Sequence, residues 1–332
     1  MKQSTCKPLP SVAHTSDNRT DMLRIAIFDD YQNVALELAD WSPVTERASV
    51  TVFNDHLTDS NEIVERLRGF DVVCVMRERT PLTRDILSRL PQLKLIVSTG
   101  PRNASIDVEA ASECGIEVRH TNYDSSPTIE LTWALILASA RNLIIETASV
   151  RSGGWQRTVG DGLRRKVLGV LGLGNIGREV ARIASAFGME VVAWSQNLTP
   201  EKAAAAGARL VSKQELFQQA DILTIHLVLS SRTRGLVGKS ELALMKQSAR
   251  LVNTSRGPIV GENALIETLR ERRLAGAAID VFDVEPLPRD HPFRRLDAVI
   301  ATPHIGYVSR DLYRVFYQDT LANIVDWLGG RS

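Results

Sequence analysis

Cysteine is nearly absent. The 332 residues hold three, Cys6, Cys74 and Cys114, far apart and in no CxxC or metal-like spacing. That pattern excludes a disulfide framework and points to a reducing, cytoplasmic compartment. A charge bias is missing too: 40 Lys and Arg against 39 Asp and Glu leave a formal net charge of +1. Nothing in that balance recruits nucleic acid or an anionic membrane surface. No apolar run reaches membrane-spanning length. The opening stretch MKQSTCKPLPSVAHTSDNRTD lacks an apolar h-region, so it is no secretory signal, and residues 1–22 read as a disordered tail. No His/Cys/Asp cluster has ligand spacing, so no metal is expected.

What the chain does have is alternation. Strand-like apolar runs at 24–28, 50–53, 72–75, 95–98 and 116–118 are separated by helical stretches such as 60–69 and 84–90. A long apolar stretch at 128–145, interrupted by Glu130 and Arg141, reads as one buried helix. A second alternating block runs from 166 to 303, with strand candidates at 167–171, 190–194, 222–226, 250–253, 277–281 and 298–301. An amphipathic helix at 310–328 ends the chain. Such βα alternation predicts an α/β protein with parallel, doubly wound sheets. Six strands suit a full dinucleotide-binding sheet. Two domains are expected: 23–122 completed by 308–332, flavodoxin-like, and 123–307 for the dinucleotide.

The strand at 167–171 runs into Gly172-Leu173-Gly174-Asn175-Ile176-Gly177 and then a helical pattern. Gly172 suits a tight turn, Gly174 a close approach of backbone to pyrophosphate, and Gly177 tight helix–sheet packing. The N–H groups of the following helix face the phosphates. The next strand ends at Trp194, where NAD sites place an acid on the adenosine ribose; here stand Ser195, Gln196 and Asn197. Without that acid the repulsion of a 2′-phosphate is gone, so NADP is favoured over NAD, although no Arg follows to clamp it.

Three strand ends in the second block carry ionisable groups: Arg256 in NTSRGPIV, Asp280 and Glu285 in IDVFDVEPL, and His304 in TPHIG. The carboxyl ends of a parallel sheet lie on one side, so these residues should converge. The set suits reduction of a 2-keto acid. A His delivers the proton, a carboxylate orients the ring, and an Arg pairs with the substrate carboxylate. Taken alone, His304 reads equally well as a buried structural histidine.

From Leu23 to the C-terminus the chain resembles the D-isomer-specific 2-hydroxyacid dehydrogenases, through GLGNIG, NTSRGPIV, DVFDVEPL and TPHIG. The resemblance implies two Rossmann-like domains with the substrate in the cleft between them, and a homodimer with contacts from the 128–145 helix. It makes His304 the general acid/base, Glu285 its partner and Arg256 a substrate ligand. It puts Asp280 near the nicotinamide carboxamide, Thr254 among the cofactor contacts and the His226 backbone beside the cofactor, with no catalytic role for that histidine. Asp280 also reads as a turn cap. The substrate-carboxylate loop is identified as Thr99-Gly100-Pro101-Arg102, where Pro101 lacks an N–H and Arg102 replaces a glycine. Arg102 offsets the lost donor, marks a site for a more acidic substrate, or points to solvent, and Arg77 or Arg79 joins the rim. The expected function is NAD(P)-dependent interconversion of a small 2-keto acid and its D-2-hydroxy acid. 3-Phosphoglycerate dehydrogenase is the alternative within the class, and a nucleotide-sensing corepressor the alternative outside it.

Overall fold

The computed structural model describes residues 22–330. The tail expected over residues 1–22 falls outside the described residues except for Met22, which is exposed. The chain divides into two compact units: one runs to Asn122 and resumes at Arg314, the other is Tyr123–Tyr313.

The first unit alternates β1 (Leu23–Ile27), α1 (Ser42–Thr45), β2 (Ala48–Val52), α2 (Ser60–Leu67), β3 (Val72–Val75), α3 (Arg84–Leu87), β4 (Leu95–Ser98), α4 (Val108–Glu113) and β5 (Glu117–His120). Its five strands are all parallel, in the order β2-β1-β3-β4-β5. That is the flavodoxin-like doubly wound order. β3 and β4 are buried at every position, as strands covered on both faces must be. α2 starts on Asp59, whose carboxylate accepts from the N–H groups of Asn61 and Glu62. Its Ile63, Val64 and Leu67 then pack with Phe28, Val73 and Ile96.

The second unit holds α5 (Ser126–Ala140), α6 (Leu143–Arg151), β6 (Val167–Leu171), α7 (Asn175–Ala186), β7 (Glu190–Trp194), α8 (Pro200–Ala205), β8 (Arg209–Leu210), α9 (Lys213–Gln219), β9 (Ile222–Ile225), α10 (Lys239–Leu244), β10 (Arg250–Asn253), α11 (Glu262–Arg270), β11 (Gly276–Ile279), β12 (Val299–Ala301) and the start of α12 (Arg310–Gly329). Seven parallel strands run β12-β11-β10-β9-β6-β7-β8. Counted from β6, this is the Rossmann order with one further edge strand. Six strands were legible in the sequence; β8 has two residues, too few to carry a period. Leu216, Phe217, Leu265 and Leu269 cover one face of the sheet. Ile129, Ile136, Val180 and Ala184 cover the other. β11 starts on a glycine because its neighbour comes close: a Cβ on Gly276 would lie 2.9 Å from the Ala298 carbonyl oxygen.

The stretch at 128–145 is not one helix. Asn142 takes a left-handed φ of 51°, and α6 leaves α5 at 67°. Asn tolerates that conformation, so Asn142 ends α5 where the apolar pattern runs on. No single helix among the described residues is long and apolar enough to cross a membrane.

Candidate active site

β6 is the strand at which the order reverses, pairing β7 on one side and β9 on the other. Ligands of open α/β sheets bind outside the carboxyl ends at such a point. The chain turns there at Gly172, with a φ of +101°. Its N–H donates to the Trp194 carbonyl at 2.9 Å. A Cβ on Gly172 would meet the His226 carbonyl oxygen at 2.6 Å, and one on Gly177 would meet the Gly172 carbonyl oxygen at 2.1 Å. Both glycines are therefore required by the protein's own packing. Gly174 differs. It caps α7 without a side-chain bond, and a Cβ there would meet nothing within 4 Å. The opening left by Gly174, beside the uncapped N–H groups of a twelve-residue helix, fits a dinucleotide phosphate. Asn175 and Ile176 form the first turn of that helix, exposed and half-buried respectively, and Asn175 Oδ1 accepts from Arg178.

Ser195 follows β7 half-buried, with Gln196 and Asn197 exposed beside it and no acidic side chain among the three. His226, at the end of β9, donates its N–H to the Leu171 carbonyl at 2.8 Å, and its Nε2 meets Thr224 Oγ1 at 2.9 Å. Burial pushes its pKa down to about 3, so the ring stays neutral. Its backbone borders the phosphate loop, while its ring is a core group.

His304 and Glu285 are brought together. His304 Nδ1 and Glu285 Oε2 lie 2.6 Å apart, and Glu285 Oε1 accepts from the Phe282 N–H at 2.9 Å. Burial raises the Glu285 pKa most. The bonds and charge from His304, the Phe282 N–H and the Arg256 charge together outweigh it and hold the group below the ordinary carboxylate range. An ionised Glu285 is acceptor-only, so Nδ1 carries the proton toward it and Nε2 is left as the working nitrogen. His304 has a left-handed φ of 52°, and the Tyr307 ring packs edge-on against its imidazole at 5.5 Å between centroids.

Arg256 is half-buried on the loop after β10 and donates from Nη1 to the Ser255 carbonyl at 2.7 Å. That loop is fixed from inside: Asn253 Nδ2 donates to the Arg256 carbonyl at 3.0 Å, and Ser255 Oγ to the Ile225 carbonyl at 2.7 Å. Gly257 also belongs to this site. A Cβ there would lie 2.2 Å from the Phe282 carbonyl carbon, so Gly257 lets the Arg256 loop touch the loop that carries Glu285. Its place directly after Arg256 was the available signal.

Two residues assigned to the cofactor have inward jobs. The Thr254 hydroxyl is buried and bonded to Thr132 Oγ1 of α5 at 2.9 Å. Asp280 is fully buried, and its oxygens accept from Thr302 Oγ1 at 2.6 Å and from the N–H groups of Ile305 and Gly306, both at 2.9 Å. Burial raises its pKa, while these bonds and the His304 charge oppose the rise. Of the two readings offered for Asp280, its contacts are those of the turn cap.

In the first unit, the loop after β4 is arranged differently from its expected use. The Gly100 N–H donates to Thr121 Oγ1 at 2.8 Å, so this backbone donor is already engaged. Thr99 Oγ1 accepts from the Arg77 N–H at 2.9 Å, and the Thr99 carbonyl accepts from Arg77 Nη1 at 3.1 Å. Gly100, with a φ of +81°, makes room for that guanidinium: a Cβ would meet Arg77 Nη1 at 1.8 Å. Arg102 is exposed. The arginine built into this loop is thus Arg77, delivered from the end of β3, a placement that spacing alone could not show. Among the described residues, no group of His, Cys, Asp and Glu has an arrangement that would hold a metal ion.

Comparison with known proteins gives the family. The family described as D-isomer specific 2-hydroxyacid dehydrogenase, NAD binding domain, matches residues 133–306. Glyoxylate reductase of Aeropyrum pernix is 40% identical over 257 residues, 74% of this chain and 77% of its own. D-3-phosphoglycerate dehydrogenase of Methanocaldococcus jannaschii is 42% identical over 249 residues, 74% of this chain and 47% of its own. The chain thus spans about half the length of the latter protein. The crystal structure of phosphoglycerate oxidoreductase from Vibrio cholerae superposes with a TM-score of 0.88 at 37% identity, covering 93% of this chain and 100% of that one. The chain belongs to the D-isomer specific 2-hydroxyacid dehydrogenases.

Proposed function

We propose that this chain reduces a small 2-keto acid to its D-2-hydroxy acid with a nicotinamide dinucleotide. The observation that carries the reading is the His304–Glu285 pair at 2.6 Å, at the same sheet end as the open phosphate loop at Gly174. A bound nicotinamide dinucleotide supplies the hydride. His304 Nε2 gives a proton to the keto oxygen, while Glu285 holds Nδ1–H and stabilises the imidazolium of the charged state. Arg256 pairs with the substrate carboxylate and polarises the carbonyl.

Ser195, Gln196 and Asn197 offer donors without negative charge, which favours NADP over NAD. Glyoxylate and hydroxypyruvate lead as substrates, in keeping with the Aeropyrum relative's name. The Methanocaldococcus relative favours 3-phosphoglycerate dehydrogenase as a second reading. We further propose a homodimer formed through α6 and the segment after it, where Ile144, Val150, Trp155 and Val159 are 58%, 57%, 74% and 98% exposed. The cytoplasm is the proposed compartment, with the thiols of Cys74 and Cys114 kept reduced.

The test is steady-state oxidation of NADPH and NADH against glyoxylate, hydroxypyruvate, pyruvate and phosphohydroxypyruvate. Turnover is expected, with NADPH preferred and the preference reversed in Ser195→Asp. Dinucleotide binding without turnover on any of the four would replace the reductase reading with that of a nucleotide sensor.

A further inference from the structure

His304 sits in a conformation that a residue with a Cβ rarely adopts. Such a backbone persists only where its surroundings over-determine it. The surroundings here converge on one carboxylate. Asp280 follows β11 and is tied into the sheet by its own N–H, which donates to the Asn253 carbonyl at 3.0 Å. Its Oδ1 accepts from Thr302 Oγ1 at 2.6 Å, two residues before His304, and from the Ile305 N–H at 2.9 Å, one residue after. Its Oδ2 accepts from the buried Gly306 N–H at 2.9 Å. Gly306 permits the approach, since a Cβ there would crowd Asp280 Oδ2 at 3.2 Å. The donors flank His304 on both sides in sequence, and the acceptor is anchored in the sheet.

We propose that Asp280 is the positioning residue for His304: its buried carboxylate clamps the 302–306 turn, and so fixes the left-handed backbone that aims the imidazole at Glu285. This rests on the reductase reading of the site. It is a task separate from a cofactor contact: two donors from the turn bond Oδ1 and one bonds Oδ2, all within this turn. Glu285 orients the ring through Nδ1, and Asp280 orients the backbone from which that ring projects. The catalytic histidine is thus held at two levels, by two carboxylates with separate tasks.

The experiment uses the full chain and the substitutions Asp280→Asn, Thr302→Val and Thr302→Ser. Asp280→Asn keeps the shape but turns an amide NH2 toward a donor of the turn. Its kcat should fall by about 10²-fold, the lower end of what a well-placed acid/base contributes, with nucleotide Kd and keto-acid KM unchanged. Thr302→Val removes one donor and should lower kcat roughly tenfold, again with Kd unchanged, and Thr302→Ser should recover most of that loss. A second readout needs no turnover. In histidine-selective 15N NMR, the hydrogen-bonded Nδ1–H proton of His304 should be present in the wild type and lost or weakened in Asp280→Asn and Thr302→Val.

A weakened nucleotide Kd in Asp280→Asn, with the Nδ1–H proton intact, would overturn the proposal and make Asp280 a cofactor ligand. Unchanged kcat and an unchanged proton signal in Thr302→Val would overturn it as well, and that pair of variants carries the test if Asp280→Asn does not fold. A wild type that turns over no keto acid sinks the reductase reading instead, and leaves the proton signal to decide the clamp.

Discussion

Each of the two sheets ends in a left-handed residue belonging to a histidine–carboxylate pair. In the second unit it is His304, at a φ of 52°, with Glu285 at 2.6 Å. In the first it is Asp29, at a φ of 57°, with His56 Nδ1 at 2.9 Å. The chemistry of the two pairs is the same and their settings are not. The His304 and Glu285 side chains are 21% and 32% exposed, whereas those of His56 and Asp29 are 9% and 1%. Asp29 also accepts from Thr80 Oγ1 at 2.6 Å, and its carbonyl accepts from Arg79 Nη1 at 2.7 Å. It ties the ends of β1, β2 and β3 together. A paired histidine becomes a candidate acid when its ring stays reachable; closed in, the same pair is a fastening.

The sharpest way to break this comparison is to remove each histidine in turn. His304→Asn, chosen because Asn tolerates a left-handed backbone, should lower turnover by about 10³-fold and cost less than about 1 kcal/mol of stability, because the partly exposed Glu285 can turn to water. His56→Asn should do the reverse. It leaves the buried Asp29 carboxylate short of a partner and lowers stability by about 2 kcal/mol, with turnover of the folded protein kept. Activity loss from both would erase the distinction.

The glycines allow the same kind of contrast. Gly172→Ala places a Cβ against backbone at a positive φ and should cost about 3 kcal/mol or more. Gly174→Ala has room and should leave the melting temperature alone while weakening nucleotide Kd about tenfold, as read by fluorescence titration. If Gly174→Ala binds dinucleotide as well as the wild type, the opening is not the phosphate site.

Acid sensitivity separates two further groups. His226 titrates at about 3 in the fold and near 6.5 when unfolded, so as pH falls through that interval the unfolded chain takes a proton that the folded ring refuses. Stability should therefore drop by up to about 1.4 kcal/mol per pH unit in that window, and His226→Asn should flatten the slope. Glu285, held below its ordinary value of 4.5, stabilises the fold above that value and loses the contribution only as pH falls below it. Urea midpoints at a series of pH values separate the two. The smallest contrast lies in the first unit: Arg77→Ala should cost about 1 kcal/mol by freeing the Thr99 carbonyl, and Arg102→Ala less than about 0.5 kcal/mol.

These contrasts also mark what was legible in the sequence. Parallel strands buried on both faces read as apolar runs, so β3, β4, β6, β7 and β10 stand where those runs do. The phosphate loop and the His304, Glu285 and Arg256 segments were legible because each lies just past such a strand. Features set by a partner distant in sequence were not. The Gly100 N–H looks available until Thr121 is seen accepting from it, and Arg77 outranks Arg102 only once Gly100 is seen to make room for it. That Asp280 caps the 302–306 turn shows only once its three donors are known. The break at Asn142 hid inside an apolar stretch, because one left-handed residue leaves no mark on periodicity.

If the open phosphate loop and the His304–Glu285 pair form one reducing site, hydride and proton reach the same carbonyl. Deuterium transfer tests it most directly. Hydroxypyruvate is reduced with dinucleotide deuterated at the nicotinamide C4 position, and the product is read by mass spectrometry and chiral separation. Deuterium is expected at C2 of a product of the D configuration alone, with almost none formed by His304→Asn. A product lacking deuterium at C2, or equal labelling by His304→Asn, would contradict it.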